Sequence, residues 1–177
     1  MYKLLLIFSL LFSNFCYADD LIKAASNTSS AESVTVEAAN ASQTWSDKAQ
    51  EVLIQALSLT GIQYKYGGKS PETGFDCSGF VRYVFSQATK ITLPPTARAI
   101  SQMGKTVKKD ELQPGDLVFF NTLKTAFSHV GIYMGDNKFI HSPSSGGGVR
   151  VENMDSAYWT KRFNGAQRIE TAQENTN

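Results

Sequence analysis

Apolar side chains recur every three to four residues in two stretches of the first half of the chain. The pattern predicts a helix over Ser46–Leu59 and a second helix that begins at Cys77 and buries one face. A Gly- and Pro-containing loop, residues 64–76, joins the two helices. Thr96 can cap a short helix that runs through Met103, and the lysine-rich stretch after it is predicted to be an exposed connection.

The second half of the chain changes to short apolar runs separated by turn residues, a pattern typical of strands. The predicted strands are Leu117–Asn121, His129–Met134, Lys138–Ser142, Val149–Glu152 and Ala166–Ile169. Gly135-Asp136-Asn137, between the second and third strands, has the composition of a hairpin turn. Helices first and an antiparallel sheet after them predict an α+β domain.

The N-terminal segment has the composition of a targeting signal. Lys3, a following apolar run and the small residues Cys16 and Ala18 predict a secretory signal peptide over residues 1–18, cut after Ala18. Lipid attachment at Cys16 is the less favoured alternative, because the residues before it are bulky and polar. We therefore expect a periplasmic or secreted protein with no integral membrane span after cleavage.

The remaining chain divides by composition. Residues 19–44 are rich in Ala, Ser, Thr, Asn and Glu and predict a disordered leader. Residues 45–170 then form one domain, and residues 171–177 form a C-terminal tail. The formal net charge is only +1, and the lysine-rich stretch lacks interleaved aromatic residues, so we expect no nucleic-acid partner. We expect a monomer.

Cys77 is the candidate nucleophile because of its place at the start of a helix. Signal cleavage would remove Cys16, the other of the two cysteines, and would leave Cys77 without a disulfide partner. In the first turn of a helix, free backbone N–H groups and the helix dipole favour negative charge. We therefore expect the thiol to lose its proton more readily than usual and to become the reactive thiolate. A buried structural cysteine is the alternative.

Both histidines of the chain fall in the predicted hairpin. His129 begins one strand and His141 ends the next. With a three-residue turn over residues 135–137, Gly131 faces His141, and His129 lies on the same face within diagonal reach. A two-residue turn would instead place the histidines on opposite faces. A thiol, an imidazole base and a second imidazole that orients the first make the arrangement of a catalytic triad. A zinc site is the alternative.

Six short motifs occur in order over about residues 50–170. They are Tyr64-Lys-Tyr-Gly-Gly, Asp76-Cys-Ser-Gly-Phe-Val, Leu93-Pro94, Leu112-Gln-Pro-Gly-Asp-Leu-Val-Phe-Phe, Ser128-His-Val-Gly-Ile-Tyr and Phe139-Ile-His141. Together they resemble the NlpC-type cell-wall cysteine peptidases, a bacterial branch of the papain-like superfamily. The chain is most similar to the single-domain murein endopeptidases of Gram-negative envelopes. The resemblance implies a papain-like α+β fold, in which the helix carrying Cys77 packs on an antiparallel sheet carrying both histidines.

The resemblance also implies an activity and residue roles. It implies hydrolysis of peptide bonds in peptidoglycan stems or cross-links, with peptidoglycan as the partner and no metal or organic cofactor. The triad carries over as Cys77, His129 and His141. Tyr64 resembles the tyrosine that hydrogen-bonds near the nucleophile and helps to hold the oxyanion. Asp76 and Ser78 resemble positions that bind the substrate's amine, although a helix cap and a helical serine explain them equally well.

Two other functions fit the same residues. One is a thiol acyltransferase, which would pass the acyl group to an amine instead of to water. The other is a cell-wall-binding module without catalysis, which the presence of all three triad side chains disfavours. For a hydrolase, the candidate bonds are the D-Ala–diaminopimelate cross-link and the γ-D-Glu–diaminopimelate bond within a stem. Both the cell's own wall and the wall of other cells are candidate targets.

Overall fold

A computed structural model describes residues 46–122 and 124–169 of the chain. The predicted signal peptide, Cys16, the predicted leader and the C-terminal tail all lie outside these residues. Within the two described ranges, every helix is too short or too polar to cross a bilayer.

Helices occupy most of the first half of the described chain, and strands occupy most of the second half. The helices are α1 (residues 46–58), α2 (Cys77–Thr89), α3 (Ala97–Ile100) and α4 (Ala157–Thr160). The strands are β1 (Lys69–Ser70), β2 (Gly74–Phe75), β3 (Lys105–Val107), β4 (Leu117–Phe120), β5 (His129–Gly135), β6 (Lys138–His141), β7 (Arg150–Asn153) and β8 (Phe163–Arg168). A single 3₁₀ turn covers Lys109–Glu111 among these described elements.

Strands β3 to β8 form one antiparallel sheet in the order β3-β8-β4-β5-β6-β7. Side chains of β4 alternate between its two faces, as the pleat of a strand requires. Leu117 and Phe119 join the core that α1 and α2 cover, and Phe120 joins an aromatic cluster on the other face. Phe80 and Val84 of α2 pack in the first of these cores, so the helix that begins at Cys77 lies on the sheet. The predicted α+β fold is confirmed.

The β5–β6 hairpin contains a bulge that decides which way the histidines face. Asp136 and Asn137 have φ values of 50° and 55°, the left-handed conformation of a two-residue hairpin turn. A two-residue turn alone would shift the pairing of β5 with β6 by one residue. Met134 is an extra, unpaired residue on β5 that offsets this shift, so the pairs are Ile132↔Ile140 and Tyr133↔Phe139, as a three-residue turn would give. The predicted three-residue turn is therefore wrong, since the hairpin has a two-residue turn and a bulge. The bulge restores the predicted register, so both histidines lie on one face.

Several short elements were predicted incorrectly. The lysine-rich stretch predicted as an exposed connection contains β3, whose Val107 is buried against the sheet. The loop over residues 64–76 contains the β1–β2 pair, and the helix predicted through Met103 ends at Ile100. These elements have two to four residues each, too few for an apolar period, so their pairing partners elsewhere in the fold determine them.

A glycine in the first turn of α2 lets the loop over residues 64–76 lie against the helix. A Cβ atom on Gly79 would lie 2.0 Å from the backbone oxygen of Gly68, closer than any real contact allows. Since glycine lacks that atom, the loop can close over the first turn of the helix. This contact places Tyr64 and Cys77 in the same region of the molecule.

Candidate active site

The start of α2 is fixed by the side chain of Asp76. Asp76 is the N-cap of the helix, and its Oδ1 accepts a 2.7 Å hydrogen bond from the backbone N–H of Gly79. Its Oδ2 accepts a hydrogen bond from the N–H of Gly67 at 3.1 Å, which ties the preceding loop to the helix. The hydroxyl of Ser78 is buried within 3.0 Å of Asp76 Oδ1 and of the Pro95 carbonyl oxygen. Capping and packing thus account for both side chains, and their role with substrate stays a prediction.

Cys77 is a free, partly exposed cysteine in the first turn of α2. Burial raises the pKa of its thiol to about 11, and the charge of Asp76 acts in the same direction. The backbone N–H groups of Val130, Ser78 and Cys77 itself face the sulfur and lower the pKa, but by less than burial raises it. The expected lowering of the thiol pKa is therefore wrong, because burial outweighs the donors at the helix start.

Tyr64 lies beside this thiol. Burial raises the pKa of the Tyr64 hydroxyl, and the nearby Cys77 and Asp76 raise it further, so the hydroxyl stays protonated and can donate. The backbone of Tyr64 pairs with Phe75 next to the helix start, and its N–H donates to Gly147 at 3.1 Å. The predicted Tyr64 and Cys77 are thus brought together.

The two predicted histidines contact each other directly. His129 Nε2 lies 2.7 Å from His141 Nδ1, and both rings are buried. The ring of Trp159 stacks on His129 with its centroid 5.6 Å away, and Phe139 lies 4.7 Å from His141. Burial, and then the neighbouring His141, lowers the pKa of His129 to about 3. The imidazole of His129 is therefore neutral at neutral pH and able to accept a proton.

Cys77 and the histidine pair both lie near the beginning of β5. The sulfur of Cys77 lies against the backbone N–H of Val130, the residue that follows His129. Because Nε2 of His129 is occupied by His141, Nδ1 is the ring nitrogen left for a further partner. Cys77 thus lies beside the residue that follows His129 on β5, and the ring of His129 contacts a second imidazole.

A further polar residue, Glu152 of β7, was missed by the sequence prediction. Its Oε1 lies 3.4 Å from His141 Nε2, an ion-pair distance longer than a well-formed hydrogen bond. Arg150 Nε donates to Oε1 at 2.6 Å, and the indole N–H of Trp159 donates to Oε2. His141 chiefly, followed by Trp159 and Arg150, lowers the pKa of Glu152 to about 2. Only the β6–β7 register reveals this contact, and the long loop between these strands hides the register in the sequence.

A cavity of about 240 Å³ opens beside His129. Its wall is formed by Thr122, His129, Pro143, Ser144, Ser145, Arg150, Glu152, Tyr158 and Trp159. The loop over residues 143–148 forms one side and is held by Arg150 Nη1, which donates to the backbone oxygen of Gly146 at 2.9 Å. The cavity gives a peptide room next to the imidazole pair. In residues 46–122 and 124–169, no three His, Cys, Asp or Glu side chains are grouped to hold a metal ion.

The chain is similar to proteins whose family is known. The model of the NlpC/P60 family matches residues 61–168. Murein DD-endopeptidase MepH of Escherichia coli (strain K12) is 39% identical over 128 residues, which are 70% of this chain and 47% of that protein. Murein DD-endopeptidase MepS/Murein LD-carboxypeptidase of the same organism is 39% identical over 123 residues, 70% of this chain and 64% of that protein. The chain thus spans less than two thirds of either relative's length.

A solved structure shares the fold. The crystal structure of an NlpC/P60 family protein from Bacillus cereus ATCC 10987 superposes with a TM-score of 0.64 at 31% identity. The superposition covers 70% of this chain and 40% of that chain. The matched region includes all of the residues predicted for the site.

Proposed function

This chain belongs to the NlpC/P60 family, and from that premise we propose that it is a cysteine endopeptidase that hydrolyses peptide bonds in peptidoglycan. The observation that carries the proposal is the 2.7 Å contact between His129 and His141 at the end of β5 where Cys77 also lies. These are the three side chains that a thiol peptidase requires: a nucleophile, a base and a group that orients the base.

The reaction is acyl transfer to water through a thioester. Nδ1 of His129 takes the thiol proton as the sulfur of Cys77 attacks the substrate carbonyl carbon. The tetrahedral intermediate carries its negative charge on oxygen, where the N–H groups at the start of α2 and the hydroxyl of Tyr64 can donate. Such donors are typically worth about 3–4 kcal/mol each. The C–N bond then breaks as His129 returns the proton to the leaving amine, and water releases the acyl group.

The relatives indicate which bond this enzyme would cut. MepH and MepS are both named murein DD-endopeptidases, which favours the D-Ala–diaminopimelate cross-link as the scissile bond. The γ-D-Glu–diaminopimelate bond within a stem is the second candidate. Such a substrate lies outside the inner membrane, in agreement with the predicted signal peptide over residues 1–18 and a periplasmic or secreted location.

The test is digestion of purified sacculi, with the released fragments identified by mass spectrometry. Replacing Cys77 with Ala removes the nucleophile, so we expect hydrolysis to fall by roughly 10⁶-fold, below detection, with the fold retained. Ser86→Ala, a similar truncation farther along α2, is the matched control and should keep full activity. Undiminished cleavage by the Cys77→Ala protein would refute the proposal. A competing amine acceptor added to the wild-type digest distinguishes hydrolysis, which yields the free acid, from acyl transfer.

A further inference from the structure

We propose that Glu152 is a positioning residue, which fixes the proton positions of both histidines so that His129 presents an unprotonated Nδ1 to the thiol. For its effect on catalysis this inference rests on the proposed function. The proton positions themselves can be measured in a protein of any activity. Glu152 lies on β7, outside every motif that carries the family resemblance.

The argument starts from the buried Nε2 of His141. This atom is fully shielded from solvent, and among the described residues it has no well-formed hydrogen bond. The carboxylate of Glu152, 3.4 Å away, is the charged group that faces it. An ionised carboxylate can only accept, so the attraction favours the tautomer of His141 that carries its proton on Nε2.

The proton on Nε2 determines the rest of the pair. A neutral imidazole has one N–H, so Nδ1 of His141 becomes an acceptor. The 2.7 Å contact to His129 Nε2 then requires that Nε2 be the donor. His129 is left with a lone pair on Nδ1, the nitrogen that must receive the thiol proton. Glu152 therefore acts on His129 through His141. The Nε2–H of His141 faces Glu152, and the Nε2–H of His129 donates to His141.

Glu152 is itself held in an orientation that suits this role. Arg150 Nε, at 2.6 Å, and the indole N–H of Trp159 both donate to its carboxylate. Both groups are donors only, so neither can replace the carboxylate as an acceptor for His141. They also stabilise the ionised form of Glu152, whose pKa they help to lower. Trp159, which donates to Glu152, also stacks on the ring of His129.

Glu152→Gln tests the inference while preserving side-chain volume. An amide can donate as well as accept, so it removes the preference for a proton on His141 Nε2. We expect a measurable part of the population to move to the opposite tautomers, seen as changed ¹⁵N chemical shifts of both imidazoles. We expect kcat to fall about 10–100-fold with little change in KM, because glutamine keeps the volume of this side chain in the cavity wall. Glu152→Asp keeps the charge and should restore part of kcat.

Glu111→Gln is the matched control, since Glu111 is an exposed carboxylate far from the histidines along the chain, and it should change neither readout. Wild-type protein with the proton of His129 on Nδ1 would overturn the inference, whether or not any variant folds. So would Glu152→Gln protein that loses activity while both tautomers stay as in the wild type, because Glu152 would then be merely structural. If the wild type cleaves no peptidoglycan, the proposed function fails, and the ¹⁵N shifts still decide the role of Glu152.

Discussion

The thiol of Cys77 and the imidazole of His129 are both neutral, whereas a thiol peptidase is often assumed to hold a thiolate–imidazolium ion pair. Burial raises the pKa of Cys77 to about 11 and lowers that of His129 to about 3. At a pH between these two pKa values, the resting site holds an uncharged thiol and an uncharged imidazole. The donors at the start of α2 therefore stabilise charge only once it forms, during attack on the substrate.

The pH dependence of alkylation tests this state of Cys77. With a thiol pKa of about 11, the thiolate fraction rises about tenfold per pH unit, so the rate with iodoacetamide should climb steadily from pH 6 to pH 10. The measurement is the modified fraction of the Cys77 peptide by mass spectrometry, with Cys77→Ala protein as the blank. A rate that is already constant from pH 5 upward would show a stable thiolate–imidazolium pair and contradict this expectation.

Sequence motifs identified the reactive residues more completely than the residues that hold them. Cys77, His129 and His141 stand in recognisable local patterns, because chemistry demands those side chains at those places. Glu152 stands in no pattern, since its position opposite the histidines depends on how β7 pairs with β6. The pKa of Cys77 was predicted in the wrong direction for a related reason: burial is a property of the fold and not of the helix start.

Among the elements, the β5–β6 hairpin has a tight packing requirement next to the histidines. Gly131 lies on β5 between the two histidine positions, and a Cβ atom there would lie 2.6 Å from Phe139 Cδ2 and 3.2 Å from His141 Cβ. The backbone oxygen of Ile140 would be 3.0 Å away as well. Only glycine lets the aromatic cluster and His141 close over β5, so this position couples strand packing to the imidazole pair.

Gly131→Ala should therefore damage stability and activity together. Overpacking of this kind typically costs about 1–3 kcal/mol, and a displaced His141 should lower kcat in the folded protein as well. Urea denaturation gives the first quantity, and sacculus digestion gives the second. Gly165→Ala is the control: its φ of 136° strains the backbone, but no atom lies within 4 Å of the added methyl. The control should lose stability and keep kcat, and equal kcat in both variants would contradict the coupling.

The predictability of each element followed its length and its partners. Helix α2 and strand β5 are long enough for an apolar period, and the four-residue strands β4 and β6 are apolar runs marked by the turn residues before them. The bounds of these strands agree with the sequence prediction within about two residues. Strand β3 has three residues and no such period, and it exists because β8 pairs with it. Helix α4, which carries Trp159, has four residues and is likewise absent from the sequence prediction.

At the scale of the whole molecule, the histidines join the site to the core. His129 and His141 sit in a cluster of buried aromatic rings, and burial lowers the pKa of both. An unfolded chain binds a proton at each histidine near pH 6.5, while the folded chain leaves His129 neutral down to about pH 3. The unfolded state thus binds more protons between these values, so stability must fall as the pH falls below about 6.5.

Acid should therefore weaken this fold before its carboxylates titrate. Between pH 7.5 and pH 5 we expect the free energy of unfolding to drop by about 2 kcal/mol for each histidine that stays neutral in the fold. Urea denaturation at half-unit pH steps measures the slope. His129→Gln removes one titrating group, so its slope should be smaller than that of the wild type by about one proton. A wild-type stability that is flat across this range would contradict the buried, neutral state of the pair.

The extra residue at Met134 also constrains how the hairpin can vary in length. Since neighbouring side chains of a strand point to opposite faces, the two imidazoles stay together only while Tyr133 pairs with Phe139. Codons gained or lost between these two residues are tolerated when the bulge or the turn absorbs the change. Descendants of this gene that retain both imidazoles should therefore vary in length at the hairpin tip and keep this register.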